Sequence, residues 1–393
     1  MVDINLHLKN KLRRLEEQDL ARNLVPLTHL SHSRVHASGQ TWLNLSGNDY
    51  LGLAGDREMV GAFYRQLQPD TLLENFGPGA AASRLMTGNS PLYRQLENRL
   101  ATLYGKESSL VFNSGYHGNA GILPALAGKG DLILADRLCH ASLIDGMRLS
   151  RAETLRFRHL DYDHLEEILS ARRDQYDQVF LVSESVFSMD GDQVDPDRLI
   201  ALKKKYRCCL YLDEAHAIGV FGRRGLGLAE EHGVMADIDL LFGTFGKALG
   251  GVGGFVACSA IVADYLVSRA RPLIFTTGLP PVCLSWLLFV LDRIPFMQEK
   301  RRRLRRLADD MRSRFAGLGL SVRGNSQIVP VIIGDCGRTL AAAGKLRENG
   351  YWVTAVRPPT VPEGTARLRL SFSAAMQEDD LESLPQILAS ILR

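Results

Sequence analysis

Cysteine is scarce: 393 residues hold only six, and no two of them form a CxxC pair. Cys139, Cys208, Cys209, Cys258, Cys283 and Cys336 are scattered, several inside apolar runs such as CCLYL. This excludes a disulfide scaffold and points to reduced thiols in a cytoplasmic protein. Long apolar runs are also missing. The most apolar stretch, Val282 to Leu291, is about half of the roughly 20 residues that span a bilayer, so neither a transmembrane segment nor a membrane partner is expected. The first two dozen residues lack the apolar core of a signal peptide and carry acidic residues that transit peptides avoid, so the mature chain is expected to start near Met1. Charge of one sign is nearly cancelled. The 47 basic and 44 acidic residues leave +3, too weak a field to imply nucleic acid as a partner. A phosphate loop of the form GxxxxGK followed by Ser or Thr is absent too: Lys106, Lys129, Lys247 and Lys345 each follow a glycine but precede Glu107, Gly130, Ala248 and Leu346. That excludes a nucleotide triphosphatase, although DEAH stands at 213–216.

At roughly 150 residues per domain the length predicts two or three units, and 46% hydrophobic with 23% charged residues is an ordinary globular balance. Ile4, Leu8, Leu12 and Leu15 recur at helical spacing, which predicts an opening amphipathic helix that needs a surface. The strand TWLNLS follows. From about residue 90, short apolar runs alternate with helix-length segments: SSLVF, DLILA, TLRF, QVFLVS, CCLYLD, DLLFGT and GGFVACS. Strands separated by helices predict an α/β fold with a mainly parallel sheet covered on both faces. After Pro280 come a long helical region to Arg314, a strand at IVPVII, a helix from Arg338 to Glu348, the runs YWVTAV and RLRLSFS, and a closing helix. The expected organisation is an N-terminal helix and strand over 1–45, a large α/β domain over 46–280, and a smaller α+β domain over 281–393. The basic run Lys300 to Arg306 reads as the solvated face of a helix whose Leu304, Leu307 and Met311 point inward, with nucleic-acid binding as the minor reading.

Four segments carry the chemistry. In CCLYLDEAHAIGVFG, Asp213 ends an apolar strand and His216 lies just beyond it, where open α/β sheets bind ligands. A capping Asp, a metal-binding Asp and His pair, and a ligand site are all compatible with that placement. In FGTFGKALGGVGG, Lys247 sits among glycines and apolar residues with no neighbouring carboxylate. Desolvation makes such a lysine a nucleophile and imine former. A lysine for the imine and a carboxylate for the pyridine nitrogen together suggest a pyridoxal phosphate site. In NSGYHGN, residues 113–119, a glycine turn opening a helix is either a phosphate cradle or an ordinary turn. His140, in DRLCHASLIDG after the strand DLILA, falls at the same sheet end as Asp213 if the strands are parallel. There it stacks on a planar ring, moves a proton, or is simply a structural histidine.

The ordered set NDYLGL, SRLMTGN, NSGYHGN, DRLCHASLIDG, ESVFSMDGD, LDEAHAIGVFG, TFGKALGG and RPPTVPEGTARLRLS resembles the α-oxoamine synthases from Arg22 to the last helix. The resemblance implies a cytoplasmic homodimer of the fold-type I pyridoxal phosphate transferases, with a seven-stranded sheet and the active site at the dimer interface. It implies that Lys247 forms the imine with the cofactor, Thr244 lies near the phosphate, and Asp213 partners the pyridine nitrogen. It further implies that His216 contacts the phenolic oxygen, Ser188 is another cofactor contact, His140 stacks on the ring, and Gly115 and Tyr116 cradle the phosphate. By the same resemblance Arg22, His140, Thr360 and Arg369 are substrate contacts, Arg369 gripping the amino-acid carboxylate, and Thr277 reaches the neighbouring subunit's phosphate. The implied reaction is a decarboxylating condensation of an amino acid with an acyl thioester. RPPTVPEGTARLRLS resembles the biotin branch, which joins L-alanine to a pimeloyl group on coenzyme A or a carrier protein. A sister activity, such as glycine with an acetyl thioester, is the alternative. GPGAAASR departs from the family pattern at Ala80, Ala81 and Ala82.

Overall fold

Apolar runs bounded by glycine and acidic residues become strands throughout the chain, in a computed structural model that describes residues 3–393. Near the N-terminus, β1 (Thr28–Leu30), β2 (Arg34–Ala37) and β3 (Gln40–Asn44) form an antiparallel meander. The central strands are β4 (Ser108–Phe112), β5 (Leu132–Asp136), β6 (Glu153–Phe157), β7 (Val179–Glu184), β8 (Cys209–Asp213), β9 (Leu240–Thr244) and β10 (Gly254–Cys258). They make one seven-stranded sheet in the order β4-β10-β9-β8-β7-β5-β6. All seven were expected from the sequence, and the sheet is mainly parallel because only β10 runs against its neighbours. Every residue of β5, β7, β9 and β10 is buried, so their sequences read as continuous apolar runs rather than alternating ones. Edge strand β6 keeps one buried residue, Phe157, and exposes Glu153 and Arg156, a charged edge that discourages further pairing.

The chain separates into two compact units, each discontinuous in sequence. The larger holds Asp56–Ser188 and Gln193–Arg301; the smaller holds Met1–Gly55, Met189–Asp192 and Arg302–Arg393. Two pairings explain why the units follow different lines from the three sequence segments. Among the C-terminal strands β11 (Ile328–Gly334), β12 (Tyr351–Trp352), β13 (Ala355–Val356) and β14 (Ala366–Ser371), β12 pairs in parallel with β3. Trp42 and Trp352 pack edge to face at 5.2 Å across that junction, which ties the N-terminal strands to the C-terminal ones. In the larger unit, the helix Pro281–Leu291 sets Trp286 and Phe289 against Phe63, at 5.3 and 5.6 Å between ring centres. It therefore packs with the residues before it. Each such aromatic ring, once buried, contributes roughly 1.5–3 kcal/mol.

The opening helix forms over Ile4–Glu17, capped by Asp3, whose side chain accepts from the amide of Asn5 at 2.9 Å. Its apolar stripe is uncovered, with Ile4, Leu8, Leu12 and Leu15 39–61% exposed. The basic run lies on the helix Gln298–Gly317, where Leu304, Leu307 and Met311 are buried as expected. Arg301 differs from the expected solvated face. It is buried because its guanidinium donates to the carbonyls of Ile294 at 2.8 Å and Arg223 at 2.5 Å. No single helix among the described residues is long and apolar enough to cross a membrane, and none of the six cysteines is in a disulfide.

Candidate active site

The parallel register brings the carboxyl ends of β5, β7, β8 and β9 to one edge of the sheet, and β4 points the same way through the reversed β10. At that edge a cavity of about 170 Å³ is lined by seven of the expected residues: Gly115, Tyr116, His140, Asp213, His216, Thr244 and Lys247. All belong to the larger unit. Asn119, Ser142, Glu184, Ala215 and Phe242 complete the lining, and the sequence reading missed them. Asn119 carried a signal. It lies one helical turn beyond Gly115 and therefore shares that residue's face.

Asp213 is the last residue of β8 and is 4% exposed. Its Oδ2 accepts from Asn119 Nδ2 at 2.8 Å and its Oδ1 from the amide of Ala215 at 2.8 Å. Each carboxylate oxygen retains a lone pair for a ligand. Register places Glu184 of β7 directly beside Asp213. Burial and the adjacent Asp213 carboxylate push the Glu184 carboxyl up to about 8, while Glu184 Oε1 accepts from the backbone N–H of His140. His140 caps the helix Ala141–Leu149. Burial, then the positive charge of Lys247, lowers its pKa below the usual imidazole value, against an opposing pull from Asp213. Lys247 Nζ lies 2.9 Å from His216 Nε2, near enough for the two nitrogens to share a proton.

The helix Gly115–Leu126 begins at this edge, capped by Ser114 Oγ, which accepts from the amide of His117 at 3.0 Å. Two of its glycines bear on the site. A Cβ on Gly115 would fall 3.3 Å from Thr244 Oγ1, and one on Gly118 would fall 2.4 Å from the Phe242 ring. The first keeps the helix N-terminus open beside a hydroxyl; the second lets the helix lie close on the sheet. Tyr116 donates its hydroxyl to Asp145, which holds the ring at the rim, 46% exposed.

Ser188 and Thr277 do not line the cavity. Thr277 bridges to Ser83, and its carbonyl accepts from Asn113. The three remaining residues belong to the smaller unit. There Arg22 Nη2 donates to Thr360 Oγ1 at 2.9 Å, joining two residues far apart in sequence. Arg369 lies on β14 and is 8% exposed, with Nη2 3.2 Å from Asn48 Oδ1 and 3.4 Å from the Tyr50 hydroxyl.

The cavity's donor set fits a phosphorylated pyridine aldehyde. It offers an amine for the aldehyde, a buried carboxylate for a ring nitrogen, an imidazole, and a helix N-terminus with a hydroxyl and no Cβ in the way, as a phosphate requires.

Comparison with known proteins agrees with this chemistry. A model of the family "Aminotransferase class I and II" matches residues 40–388. An 8-amino-7-oxononanoate synthase of Chlorobaculum parvum is 46% identical over 388 residues, 99% of each chain. A putative 8-amino-7-oxononanoate synthase of Pasteurella multocida is 46% identical over 96% of each. Among solved structures, a serine palmitoyltransferase of S. paucimobilis with bound pyridoxal phosphate and myriocin superposes with a TM-score of 0.90 at 28% identity, covering 99% of this chain and 98% of that one. An 8-amino-7-oxononanoate synthase of Francisella tularensis gives 0.74 at 26% identity, over 89% and 97%. The chain belongs to the aminotransferase class I and II family, in its α-oxoamine synthase branch.

Proposed function

We propose that this enzyme uses pyridoxal phosphate to condense L-alanine with a pimeloyl thioester, carried on coenzyme A or on a carrier protein. The products are 8-amino-7-oxononanoate, carbon dioxide and the free thiol, a step of biotin synthesis. The observation that carries this reading is the convergence of Lys247, His216, His140, Asp213 and Thr244 on one cavity at the carboxyl edge of the sheet. The 46% identity to enzymes named for this product supports the substrate choice.

In this reading the amides of Gly115 and Tyr116, with Thr244, hold the phosphate; Asp213 faces the ring nitrogen; His140 lies against the ring; and Lys247 supplies the amine. His216 and Ser188 are further cofactor contacts. The bound cofactor supplies an electron-accepting ring that stabilises negative charge at the amino acid's Cα. Lys247 removes the Cα proton as general base, and His216 Nε2, 2.9 Å away, accepts a hydrogen bond from the resulting ammonium. His140 donates to the oxygen that gains charge as the thioester carbonyl is attacked. Arg369 holds the amino-acid carboxylate with a planar fork, while Arg22 and Thr360, already bonded to one another, meet the acyl chain.

The same reading makes the protein a cytoplasmic homodimer with its active site at the interface, where Thr277 reaches the neighbour's cofactor. Large apolar side chains left bare on the larger unit support a partner surface: Met86 is 77% exposed, Leu73 74% and Phe275 69%.

The test is product analysis with L-alanine plus pimeloyl coenzyme A, run beside glycine plus acetyl coenzyme A and serine plus palmitoyl coenzyme A. Turnover in the first arm alone is expected, and its loss in Lys247→Ala while the fold persists. Turnover confined to either other arm overturns the substrate assignment, and a Lys247→Ala variant that still turns over overturns the site. The serine arm is included because a serine palmitoyltransferase superposes so well, although shared fold does not fix substrate.

A further inference from the structure

The polar groups behind the cavity form a chain whose proton positions can be deduced one after another. Asp213 can only accept, so the group at 2.8 Å from its Oδ2 is the amide nitrogen of Asn119. Asn119 Oδ1 then faces the Tyr211 hydroxyl at 2.6 Å, and Tyr211 is the donor. Burial and the Asp213 carboxylate raise the Tyr211 pKa well above that of a free phenol, which keeps that proton in place. The second proton of Asn119 Nδ2 points to Ser142 Oγ at 3.0 Å. The backbone N–H of Ser142, a donor only, meets His140 Nδ1 at 3.2 Å, which makes that nitrogen an acceptor. Ser142 Oγ, 2.8 Å from the same nitrogen, therefore turns its own proton to it. Two donors thus converge on His140 Nδ1.

We propose that Asn119 and Ser142 are positioning residues that hold His140 as the neutral tautomer with its proton on Nε2, and that Asn119 fixes Asp213 with the same amide group. One side chain thereby orients both the carboxylate for the ring nitrogen and, through Ser142, the imidazole that donates to the acyl oxygen. The arrangement also resists protonation of the ring, because an Nδ1–H would face the Ser142 N–H and displace the hydroxyl proton. The titratable groups around the imidazole are Glu184, Asp213, Asp145 and Lys247. None of them bonds to Nδ1. This inference rests on the roles proposed above for His140 and Asp213, but the tautomer itself does not depend on which substrates the enzyme uses.

The experiment is nitrogen NMR of the holoenzyme labelled with 15N-histidine, without substrate. The chain has ten histidines, and the His140 signal is identified by its loss in His140→Gln. In the unmutated enzyme Nδ1 is expected to carry no proton between about pH 6 and pH 8, the range around an ordinary imidazole pKa. Ser142→Ala and Asn119→Ala should each let an Nδ1–H population appear. Each should also lower kcat by about tenfold or more, as expected for a displaced catalytic group, while KM for both substrates changes less than about twofold. Ser142→Thr, which keeps the hydroxyl, should restore both signals. Ser142→Ala removes a single oxygen and so remains interpretable if Asn119→Ala folds poorly. An Nδ1–H signal in the unmutated enzyme overturns the proposal, as does an unchanged His140 spectrum with undiminished kcat in both variants. If the enzyme makes no product from alanine and pimeloyl coenzyme A yet shows the expected nitrogen signals, the function assignment fails and the positioning role stands.

Discussion

Gly146 and Gly344 both occupy helix interiors, and the same substitution is expected to act on them with opposite sign. A Cβ on Gly146 would lie 2.4 Å from the carbonyl oxygen of Asn119, 3.2 Å from its carbonyl carbon and 3.4 Å from Ala120 Cα. These are backbone atoms of the neighbouring helix, so no rotamer change makes room and the two helices must separate by about 1 Å. Overpacking of this kind costs about 1–3 kcal/mol, against a gain of about 1 kcal/mol from the better helix propensity of alanine. With a rigid neighbour the upper part of the range applies, which leaves Gly146→Ala less stable by about 1–2 kcal/mol. At about 2–4 °C per kcal/mol for a large domain, Tm falls by roughly 2–8 °C. Gly344, in the helix Cys336–Glu348, has nothing within 4 Å of the added carbon, so Gly344→Ala keeps the propensity gain and raises stability by up to about 1 kcal/mol. Calorimetry of the two variants beside the parent enzyme measures both shifts. Activity adds a second readout, because a 1 Å displacement of Asn119 would stretch its 3.0 Å bond to Ser142 past the hydrogen-bond limit. Well below Tm, kcat of Gly146→Ala is expected to fall by about tenfold or more and that of Gly344→Ala to be unchanged. A Gly146→Ala enzyme with parental Tm and full activity would refute the packing argument and weaken the role given to Asn119.

Glu184, whose pKa rises from 4.5 to about 8 in the folded protein, binds a proton more tightly folded than unfolded. Its contribution to stability is complete below about 4.5 and is lost as pH rises through about 8. Glu184→Gln keeps an acceptor for the His140 amide, so its urea-unfolding free energy should decline less than the parent's across that window; parallel curves would show that Glu184 titrates normally. Arg369→Lys replaces a two-pronged donor with a point charge, and KM for alanine is expected to rise about tenfold or more while KM for the thioester stays within about twofold. An unchanged alanine KM would remove Arg369 from the carboxylate site.

The inner strands of the central sheet were legible because burial on both faces leaves no room for polar alternation, so each announces itself as an apolar run, while edge strand β6 showed only the short TLRF. The flanking strands were legible in part: TWLNLS, IVPVII, YWVTAV and RLRLSFS coincide with β3, β11, the β12–β13 stretch and β14. β1 and β2 were not, since they spell THL and RVHA, polar enough to pass for loop, and nothing local said that β12 pairs with β3 some 300 positions earlier. That distant pairing also governs which segments share a unit, and local periodicity carries no trace of it. In the site, Asp213 and Lys247 stood out because a charged group at the end of an apolar run demands a reason. Asn119 gave less away: a polar residue in a helix is ordinary until the strand opposite is known, and its partner Asp213 is 94 positions distant.

The segment NSGYHGN joins both kinds of information. Its sequence suggested a glycine turn for an anion, and Gly115 does open the helix beside Thr244. Gly118 serves a different end. With Phe242 stacked on Tyr211 at 5.9 Å beneath it, any larger residue at 118 would lift the helix off the sheet. Asn119, the next residue, would then lose its reach to Tyr211 and Asp213 at 2.6 and 2.8 Å. One glycine therefore keeps the helix N-terminus open, and the other brings the helix close enough for the Asn119 amide to reach Tyr211, Asp213 and Ser142 together. Both demands fall within five residues, which is why so short a motif carries so much of the site.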